Sequence, residues 1–224
     1  MSVLAVTLAS SRLEPDLQRQ ARQGFPEVVF SRGKTGDQVV NAMKGLVAAN
    51  GHCLATGIDQ AMSELLVNRV ENCIWDDVSQ TCRVAGMAKR QGDVVVIFAG
   101  TSDLKVAEEA AVTLEYLGFK STRFADVGVA RIHRLLERLD EIKRSDVVIA
   151  VAGMEGALPS VIDGLVGQPV IAAPTSLGYG TGLGDVAALM AMLNSYAAGV
   201  AVMNIDNGFG AAVMAARILR MKRV

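Results

Sequence analysis

The apolar positions after residue 93 form short runs rich in valine, alanine and isoleucine, separated by longer stretches with helical spacing. Such runs are typical of a parallel sheet that is buried on both faces and connected by helices. The predicted strands are Val94–Ala99, Ser121–Phe124, Val147–Ala152, Val170–Ala173 and Val200–Ile205, and the predicted helices are Leu104–Leu117, Ala130–Lys143, Leu158–Leu165, Asp185–Leu193 and Gly208–Met221. This pattern predicts an α/β fold with three layers.

The first 90 residues have a mixed pattern that predicts a smaller α+β region. Its predicted elements are a strand at Pro26–Phe30, a turn at Arg32–Lys34, a helix at Gly36–Ala49, a strand at "HCLATG", a helix at Asp59–Val70 and a hairpin at Cys73–Val84. The polar segment "AKRQGD", near residues 88–93, is the predicted boundary. The chain is therefore divided into a domain of residues 1–90 and a domain of residues 91–224.

The loops after the predicted parallel strands are where a ligand is expected, because open parallel sheets bind ligands beyond the carboxyl ends of their strands. Five loops qualify: Gly100–Asp103, Asp126–Val129, Gly153–Pro159, Pro174–Gly184 and Asp206–Gly210.

The first of these loops, "GTSD", has features of a phosphate site. Gly100 allows close approach of a ligand, Thr101 and Ser102 can donate hydroxyl hydrogens, and the start of the next helix favours an anion. Asp103 either caps that helix or accepts hydrogen bonds from ribose hydroxyls. Simple helix capping remains an equal alternative, because "GTSD" fits neither the Walker pattern nor the dinucleotide glycine pattern.

The second and third loops carry titratable residues. His133 lies near a predicted helix start, although a lone histidine is more often a structural partner than a catalyst. Arg131 and Arg134 either bind an anion or form a solvated face. Glu155, in "AGMEGALP", follows an apolar strand, so we expect poor solvation to raise its pKa and suit it to proton transfer. The alternative is an acid stabilised by the start of a helix.

The fourth and fifth loops differ in composition. Four glycines lie between Gly178 and Gly184, which predicts a loop that closes over a substrate or serves subunit packing. Asn204, Asp206 and Asn207 end the last strand, and we expect Asn207 to cap the final helix.

Bulk properties exclude several classes of protein. The net charge of −1 provides no field for nucleic acid or an anionic membrane. No apolar run is long enough to span a bilayer, and no basic residues precede the first apolar run, so the cytoplasm is the expected location. A hydrophobic fraction of 51% and a mean hydropathy of +0.33 predict apolar surface that is buried between subunits.

The three cysteines, Cys53, Cys73 and Cys82, lack the number and spacing of a disulfide framework or a zinc site. The predicted hairpin brings Cys73 and Cys82 close together, but a disulfide between them is not favoured in a cytosolic protein.

Several motifs in a fixed order resemble the LarB family, a carboxylase/hydrolase of nickel-pincer nucleotide cofactor synthesis. They are "GFPEVVFSRGKT", "AGTSDLKVAEEAA", "DVGVARIHRLL", "AGMEGALPSVIDGL", "PVIAAPTSLGYG" and "AMLNSYAAGVAVMNIDNGFGAA", and they cover roughly residues 20–215. The second half also resembles, more distantly, the PurE aminoimidazole ribonucleotide carboxylase/mutase fold. There "GTSD" is similar to the nucleotide-binding serine loop and "IHR" to the catalytic histidine segment.

The LarB resemblance implies that nicotinic acid adenine dinucleotide is carboxylated on its pyridinium ring, with CO2 or bicarbonate as co-substrate, and hydrolysed to release AMP. In that family a cysteine thiolate first adds to the ring and makes it electron-rich, and a carboxylate later removes the ring proton. Glu155 matches the carboxylate. Tyr196 stands where the family's "NSC" segment has the cysteine, and a phenol is a weaker nucleophile than a thiol.

The resemblance also implies a set of site residues. The catalytic candidates are Glu155, Tyr196, His133 and Asp126, and the substrate-binding candidates are Gly100, Thr101, Ser102, Asp103, Arg131, Gly153, Met154, Gly156, Thr175, Ser176, Gly178 and Asn204. We predict neither a tightly bound cofactor nor a metal site, and any Mg2+ would arrive on the nucleotide phosphates. Both resembled families imply a homo-octamer.

The absent cysteine leaves three alternatives. The protein acts on a ring that is already electron-rich, as aminoimidazole is in a PurE-type carboxylase or mutase. Alternatively, another nucleophile activates a pyridinium. In the third alternative the chain is a catalytically silent nucleotide-binding paralogue. Arg131, where the LarB family usually has glycine, adds a contact to a phosphate or carboxylate or alters selectivity.

Overall fold

The computed structural model describes residues 16–178 and 186–221. Part of the predicted loop Pro174–Gly184, the predicted helix start at Asp185 and the outer ends of both predicted domains lie outside the described residues.

The described strands form two sheets. They are β1 (Val29–Phe30), β2 (Cys53–Thr56), β3 (Ile74–Asp76), β4 (Thr81–Val84), β5 (Asp93–Phe98), β6 (Lys120–Phe124), β7 (Val147–Ala152), β8 (Val170–Pro174) and β9 (Val200–Val202). The first four make a mixed sheet in the order β1-β2-β4-β3, and the other five make an all-parallel sheet in the order β6-β5-β7-β8-β9.

Nine α-helices occur in the described ranges. They are α1 (Arg19–Gln23), α2 (Gly36–Asn50), α3 (Gln60–Arg69), α4 (Leu104–Tyr116), α5 (Ile132–Glu137), α6 (Leu139–Ile142), α7 (Leu158–Asp163), α8 (Val186–Leu193) and α9 (Gly208–Met221). Short 3-10 turns at Thr101–Asp103 and Val129–Arg131 precede α4 and α5.

The parallel sheet is covered on both faces, which confirms the predicted three-layer α/β fold. Alternate strand residues such as Val96 and Ile149 pack against α4 and α9, whereas their neighbours Ile97 and Val148 pack against α5 to α8. Because β5, β7 and β8 are buried on both faces, their sequences show continuous apolar runs. The strand order is that of a doubly wound sheet, in which the connections change face between β5 and β7.

The smaller sheet packs against α2 and α3 and contains the predicted hairpin. It lies against α4 of the larger domain through polar contacts as well as apolar ones. His52 Nδ1 is 2.9 Å from the buried Tyr116 hydroxyl, and Arg83 is 3.9 Å from Glu115. Burial lowers the pKa of His52.

Three predicted elements are wrong in extent. The single helix Ala130–Lys143 is broken at Arg138, whose N–H closes back on the Leu135 carbonyl at 3.1 Å and whose guanidinium lies over the Phe124 ring. The strand Pro26–Phe30 is reduced to Val29–Phe30, and Pro26 itself lacks the N–H that a sheet ladder needs. The strand Val200–Ile205 ends at Val202, and the Asn204 side chain accepts the Ile205 N–H at 2.9 Å.

Candidate active site

A cavity of about 500 Å3 opens at the carboxyl edge of the parallel sheet, beyond the ends of the neighbouring strands β5 and β7. Its walls are the loops that follow β5, β6, β7 and β8, and they include Ser102, Gly128, Glu155 and Ser176. This volume is typical of sites for small molecules. The cavity brings the "GTSD" corner and the acid of "GMEGA", two of the loops where a ligand is expected, to one site.

Asp103 holds three of these loops together. Its carboxylate accepts the Gly100 N–H at 3.0 Å and the Thr175 hydroxyl at 2.7 Å, and it also bonds the Gly153 N–H. The side chain is only 3% exposed, and this burial raises the pKa of Asp103, while the hydrogen bonds oppose that rise. Of the two alternatives for Asp103, capping of α4 is not observed, because its side chain turns back to Gly100 and makes no capping bond to that helix.

Thr175 is also placed differently from the expectation that it binds the substrate. It is buried, and its hydroxyl is used by Asp103. Ser176 and Gly178 do line the cavity. The Ser176 N–H donates to Asp206 at 2.9 Å, so the loop after β8 is anchored to the turn that precedes α9.

Two glycines let the loops approach one another closely. A β-carbon on Gly153 would lie 2.5 Å from the Leu177 carbonyl oxygen and 2.6 Å from the Thr175 hydroxyl oxygen. One on Gly128 would lie 2.9 Å from the Ala99 carbonyl oxygen. A larger residue at either position would therefore push apart two walls of the cavity.

The turn after β7 carries Glu155 into solvent. Met154 has a φ of +53°, a left-handed conformation that is uncommon for a residue with a side chain and that occurs often at functional sites. Glu155 follows it and is exposed, so the expectation of a buried, poorly solvated acid is wrong for the single chain. The residues of β7 and the following Gly153 are buried, and the turn that follows places Met154 and Glu155 at the surface. Gly156 lies against α8, because a β-carbon there would be 2.9 Å from the Ala188 carbonyl oxygen.

The "GTSD" corner offers polar groups to a ligand. Ser102 is exposed and lines the cavity together with Gly100. The corner leads into α4, whose amino end is suited to an anion. Thr101 is exposed but lies outside the cavity lining.

Asp126, Arg131 and His133 lie beside the cavity rather than in it. The Asp126 carboxylate accepts hydrogen bonds from Arg131, at 3.2 Å, and from Arg134. His133 is exposed, and none of the three lines the cavity. The loop therefore approaches the cavity through Gly128, Val129 and Ala130, while its charged residues pair with each other. Asn204 is likewise outside the lining.

Tyr196 is fully exposed and does not line the cavity. It lies in the turn between α8 and β9, at the edge where β9 begins and therefore opposite the carboxyl ends of the strands. Its neighbour Ser195 is held by a 2.6 Å hydrogen bond to Ser160 of α7. The matched position of the family nucleophile is thus outside the cavity of the single chain.

The cysteines do not replace that nucleophile within the chain. Cys53 and Cys82 are buried in the smaller domain, and all three thiols are free. Burial raises the pKa of Cys53 to about 12, whereas a hydrogen bond from Cys82 lowers the pKa of Cys73.

Metal-ligating groups are not clustered in the described ranges: residues 16–178 and 186–221 contain no group of three or more histidine, cysteine or acidic side chains that could hold an ion. Over the same residues, no helix combines the length and apolarity needed to cross a membrane.

Sequence reasoning missed two parts of the site. The Asp103–Thr175 bond joins residues 72 positions apart, and no local pattern indicates it. Gly128 is not among the predicted site residues, although it lies in the predicted loop Asp126–Val129, where a glycine permits close approach of two segments.

The fold and the cavity at the strand switch define a PurE-like α/β protein. A family model for AIR carboxylase matches residues 93–224, and a model for the LarB/PurE-like N-terminal domain matches residues 9–87. The chain belongs to the LarB family, in which a LarB-type N-terminal domain precedes a PurE-like domain. Family membership indicates an enzyme with a carboxylase-related function.

Similar proteins include two from Methanocaldococcus jannaschii. An uncharacterized protein is 42% identical over 224 positions, which cover 94% of this chain and 85% of that protein. An N5-carboxyaminoimidazole ribonucleotide mutase is 35% identical over 136 positions, covering 58% of this chain and 80% of the mutase. The solved structure of Treponema denticola PurE is 23% identical in sequence and has a TM-score of 0.49. The match covers 58% of this chain and 82% of the PurE chain.

Proposed function

We propose that this protein is a LarB-like carboxylase that attaches carbon from CO2 or bicarbonate to a heteroaromatic ring carried by a nucleotide. Nicotinic acid adenine dinucleotide is the leading substrate, and its phosphoanhydride would be hydrolysed in the same site. The observation that carries this proposal is a cavity that combines a phosphate-suited corner at Gly100 and Ser102 with a carboxylate, Glu155, on another wall.

The cavity walls support a division of roles. Gly100, Ser102 and the start of α4 would hold the phosphate and ribose nearest the ring. Ser176 and Gly178 would contact the substrate from the loop after β8. Asp103 and Thr175 act as positioning residues, because their hydrogen bonds hold the loops together and their side chains are buried.

The chemical task of Glu155 is proton removal. When a ring carbon forms a bond to CO2, that carbon becomes tetrahedral and still carries its hydrogen. A base must take this proton so that the C–H electron pair returns to the ring. An aminoimidazole ring is then aromatic again, whereas a pyridinium ring becomes aromatic once the added nucleophile also leaves. A carboxylate on the cavity wall suits this step, and the bound substrate would shield Glu155 from water.

Ring activation is the step for which the described residues that line the cavity supply no thiol. A pyridinium must first gain electrons from a nucleophile, and the matched residue, Tyr196, is exposed outside the cavity. Either a neighbouring copy supplies Tyr196, or the substrate ring is already electron-rich, as in aminoimidazole ribonucleotide. Several similar proteins are N5-carboxyaminoimidazole ribonucleotide mutases. Aminoimidazole ribonucleotide is therefore included among the substrates to be tested.

Self-association is part of the proposal. The helix α8 exposes the apolar side chains of Val186, Met190 and Leu193, and Tyr196 follows them on the next turn. An apolar face of this kind is usually covered by another subunit. We expect a homo-octamer by light scattering after size-exclusion chromatography, and smaller species for Met190→Asp.

A second candidate is a catalytically silent nucleotide-binding protein, and the exposure of Tyr196 is the observation that favours it. Calorimetry with nicotinic acid adenine dinucleotide, NAD and aminoimidazole ribonucleotide tests both candidates. Absence of binding to all three would refute both. Binding accompanied by incorporation of labelled bicarbonate supports the carboxylase, whereas binding without incorporation supports the silent protein.

A further inference from the structure

Two cysteines of the smaller domain lie on the same face of the hairpin that β3 and β4 form. Trp75 pairs with Cys82 in the antiparallel register, so the pleat places Cys73, two residues before Trp75, on the face that carries Cys82. Both cysteines belong to one apolar cluster, in which Cys82 is buried and Cys73 packs at the margin. The Cys82 thiol donates a hydrogen bond to the Cys73 sulfur. The two thiols are therefore in contact, and both are free.

The two thiols differ in their access to solvent. Cys73 is half-buried at the surface, whereas Cys82 is fully buried. The hydrogen bond from Cys82 lowers the pKa of Cys73, and the same bond together with burial raises the pKa of Cys82. Because the thiolate is the reactive form of cysteine, Cys73 is the thiol that a dissolved reagent would meet first.

The backbone at Cys73 allows the two sulfurs to approach further. Diagonal neighbours in an antiparallel pair have Cα atoms about 7–8 Å apart, and a disulfide requires a Cα separation below about 7 Å. Cys73 precedes β3 and takes no part in its ladder with β4. It follows Asn72, an exposed residue in the left-handed conformation with a φ of +56°. A small shift of this turn brings Cys73 within disulfide range of Cys82.

The third cysteine is close but less suited to react. Cys53 lies on β2 and is diagonal to Cys82, because Ala55 is the direct partner of Cys82. Cys53 and Cys82 are both held in the ladder between β2 and β4, and both are fully buried. Burial also raises the pKa of Cys53 to about 12. Cys53 is therefore the control thiol for any reaction of the other two.

We infer that Cys73 and Cys82 form a redox site at which a low-molecular-weight disulfide, such as oxidised glutathione, converts the two thiols into an intrachain disulfide. The Cys73 thiolate attacks one sulfur of the reagent, whose S–S bond breaks and releases one glutathione thiolate. Cys82 then loses its proton to solvent and attacks the Cys73 sulfur. This step forms the bond between Cys73 and Cys82 and releases the second glutathione thiolate.

The reaction is balanced and reversible. The protein gives up two electrons and two protons, and the reagent takes them up as two molecules of glutathione. A thiol reductant reverses both steps, as for the transient disulfides of redox-sensing proteins. The inference is independent of the proposed function, because no atom of the candidate active site takes part.

Mass spectrometry of the folded protein after incubation with oxidised glutathione tests the site. Trypsin releases both cysteines in one peptide, residues 70–83, and this peptide should become lighter by two hydrogen atoms and return to its original mass with reductant. Cys82→Ala should stop at the first step and carry one glutathionyl group on Cys73. Cys73→Ala should lose both products. Cys53→Ala, the matched control, should still form the intrachain disulfide.

Three results would overturn the inference. One is an unmodified protein whose peptide 70–83 keeps its mass or retains glutathione without losing the two hydrogen atoms. Another is the absence of a Cys73 adduct in folded Cys82→Ala, with folding checked by circular dichroism. The last is loss of the intrachain disulfide in folded Cys53→Ala, which would make Cys53 the partner. The peptide of the unmodified protein decides the matter even if a buried cysteine cannot be replaced without unfolding.

Discussion

The two walls of the cavity differ in how completely the protein fixes them. On one side Asp103 and Thr175 are buried, and their hydrogen bonds join the loops after β5, β7 and β8. On the other side Met154 is 44% exposed in a left-handed conformation, and Glu155 lies in solvent. The binding wall is therefore organised before a ligand arrives, whereas the proposed proton-transfer wall is completed only when substrate or another subunit covers it.

The largest expected effect concerns the exposed wall. Glu155→Gln should lower carboxylation turnover about 100- to 1000-fold, because the amide cannot accept the ring proton. The Kd of the nucleotide should stay within about twofold and the Tm within about 1 °C, since an exposed side chain contributes little to stability. Incorporation of labelled bicarbonate, calorimetry and thermal unfolding provide the three readouts.

The control for this change is Glu71→Gln, which alters an exposed acid of the smaller domain and should leave turnover intact. Equal turnover in the Glu155 and Glu71 variants would remove Glu155 from the mechanism. A parallel fall in affinity and turnover would instead make it a binding residue.

A methyl group added at Gly153 should destabilise the cavity wall that Asp103 and Thr175 hold together. Gly153→Ala should lower the free energy of unfolding by about 3 kcal/mol, because the new methyl group meets a backbone carbonyl that is itself hydrogen-bonded to Met154. Gly167→Ala is the matched control, since a β-carbon there has no neighbour within 4 Å. Urea denaturation measures both, and similar midpoints would argue against a tightly closed wall.

A smaller effect should follow from removing one hydrogen bond at the centre of that wall. Thr175→Val takes a donor from the buried Asp103 carboxylate and should cost about 1–2 kcal/mol of stability. Nucleotide affinity should fall as well, because Asp103 positions Gly100 and Gly153. Thr122→Val, on the half-exposed strand β6, should have little effect on either quantity. If the two variants behave alike in urea denaturation and calorimetry, Asp103 does not organise the loops.

The smallest expected effect is a pH dependence at the contact between the domains. Burial lowers the pKa of His52, so the unfolded chain binds this proton more readily than the native one. Stability should therefore fall as the pH drops below about 6.5, the ordinary pKa of histidine, and the fall in Tm should be less than about 2 °C because solvent screens the partly exposed ring.

The variant His52→Asn should reduce this acid-dependent fall in Tm. His133→Asn removes the other histidine, which is exposed, and should leave the fall intact. Thermal unfolding between pH 7.5 and pH 5, at about five pH values, makes the comparison. An identical pH profile for His52→Asn and the unmodified protein would assign the effect to other groups.

Much of the larger domain could be predicted from the sequence, because β5, β7 and β8 are buried on both faces and leave uninterrupted apolar runs. The break at Arg138 could not, since it depends on a contact with Phe124 in a different element. Local pattern likewise shows the apolar neighbours of Glu155 but not the direction in which the turn at Met154 projects it.

The candidate site was predictable only in part, because some of its features depend on contacts between residues that are far apart in the sequence. That loops after parallel strands converge follows from topology, so the meeting of Ser102 and Glu155 could be foreseen. The role of Asp103 depends on Thr175, 72 residues away, and no spacing rule connects them. Whether Tyr196 can reach the cavity depends on the edge of the sheet at which its turn lies. That turn precedes β9 and lies at the edge opposite the cavity.

The most direct test of the central claim is a crystal structure of the protein with nicotinic acid adenine dinucleotide. We predict density in the cavity at the carboxyl edge of the parallel sheet, with a phosphate at Gly100 and Ser102 and the pyridine ring facing Glu155. Density at another surface, or a ring that points away from Glu155 while the cavity stays empty, would contradict the account.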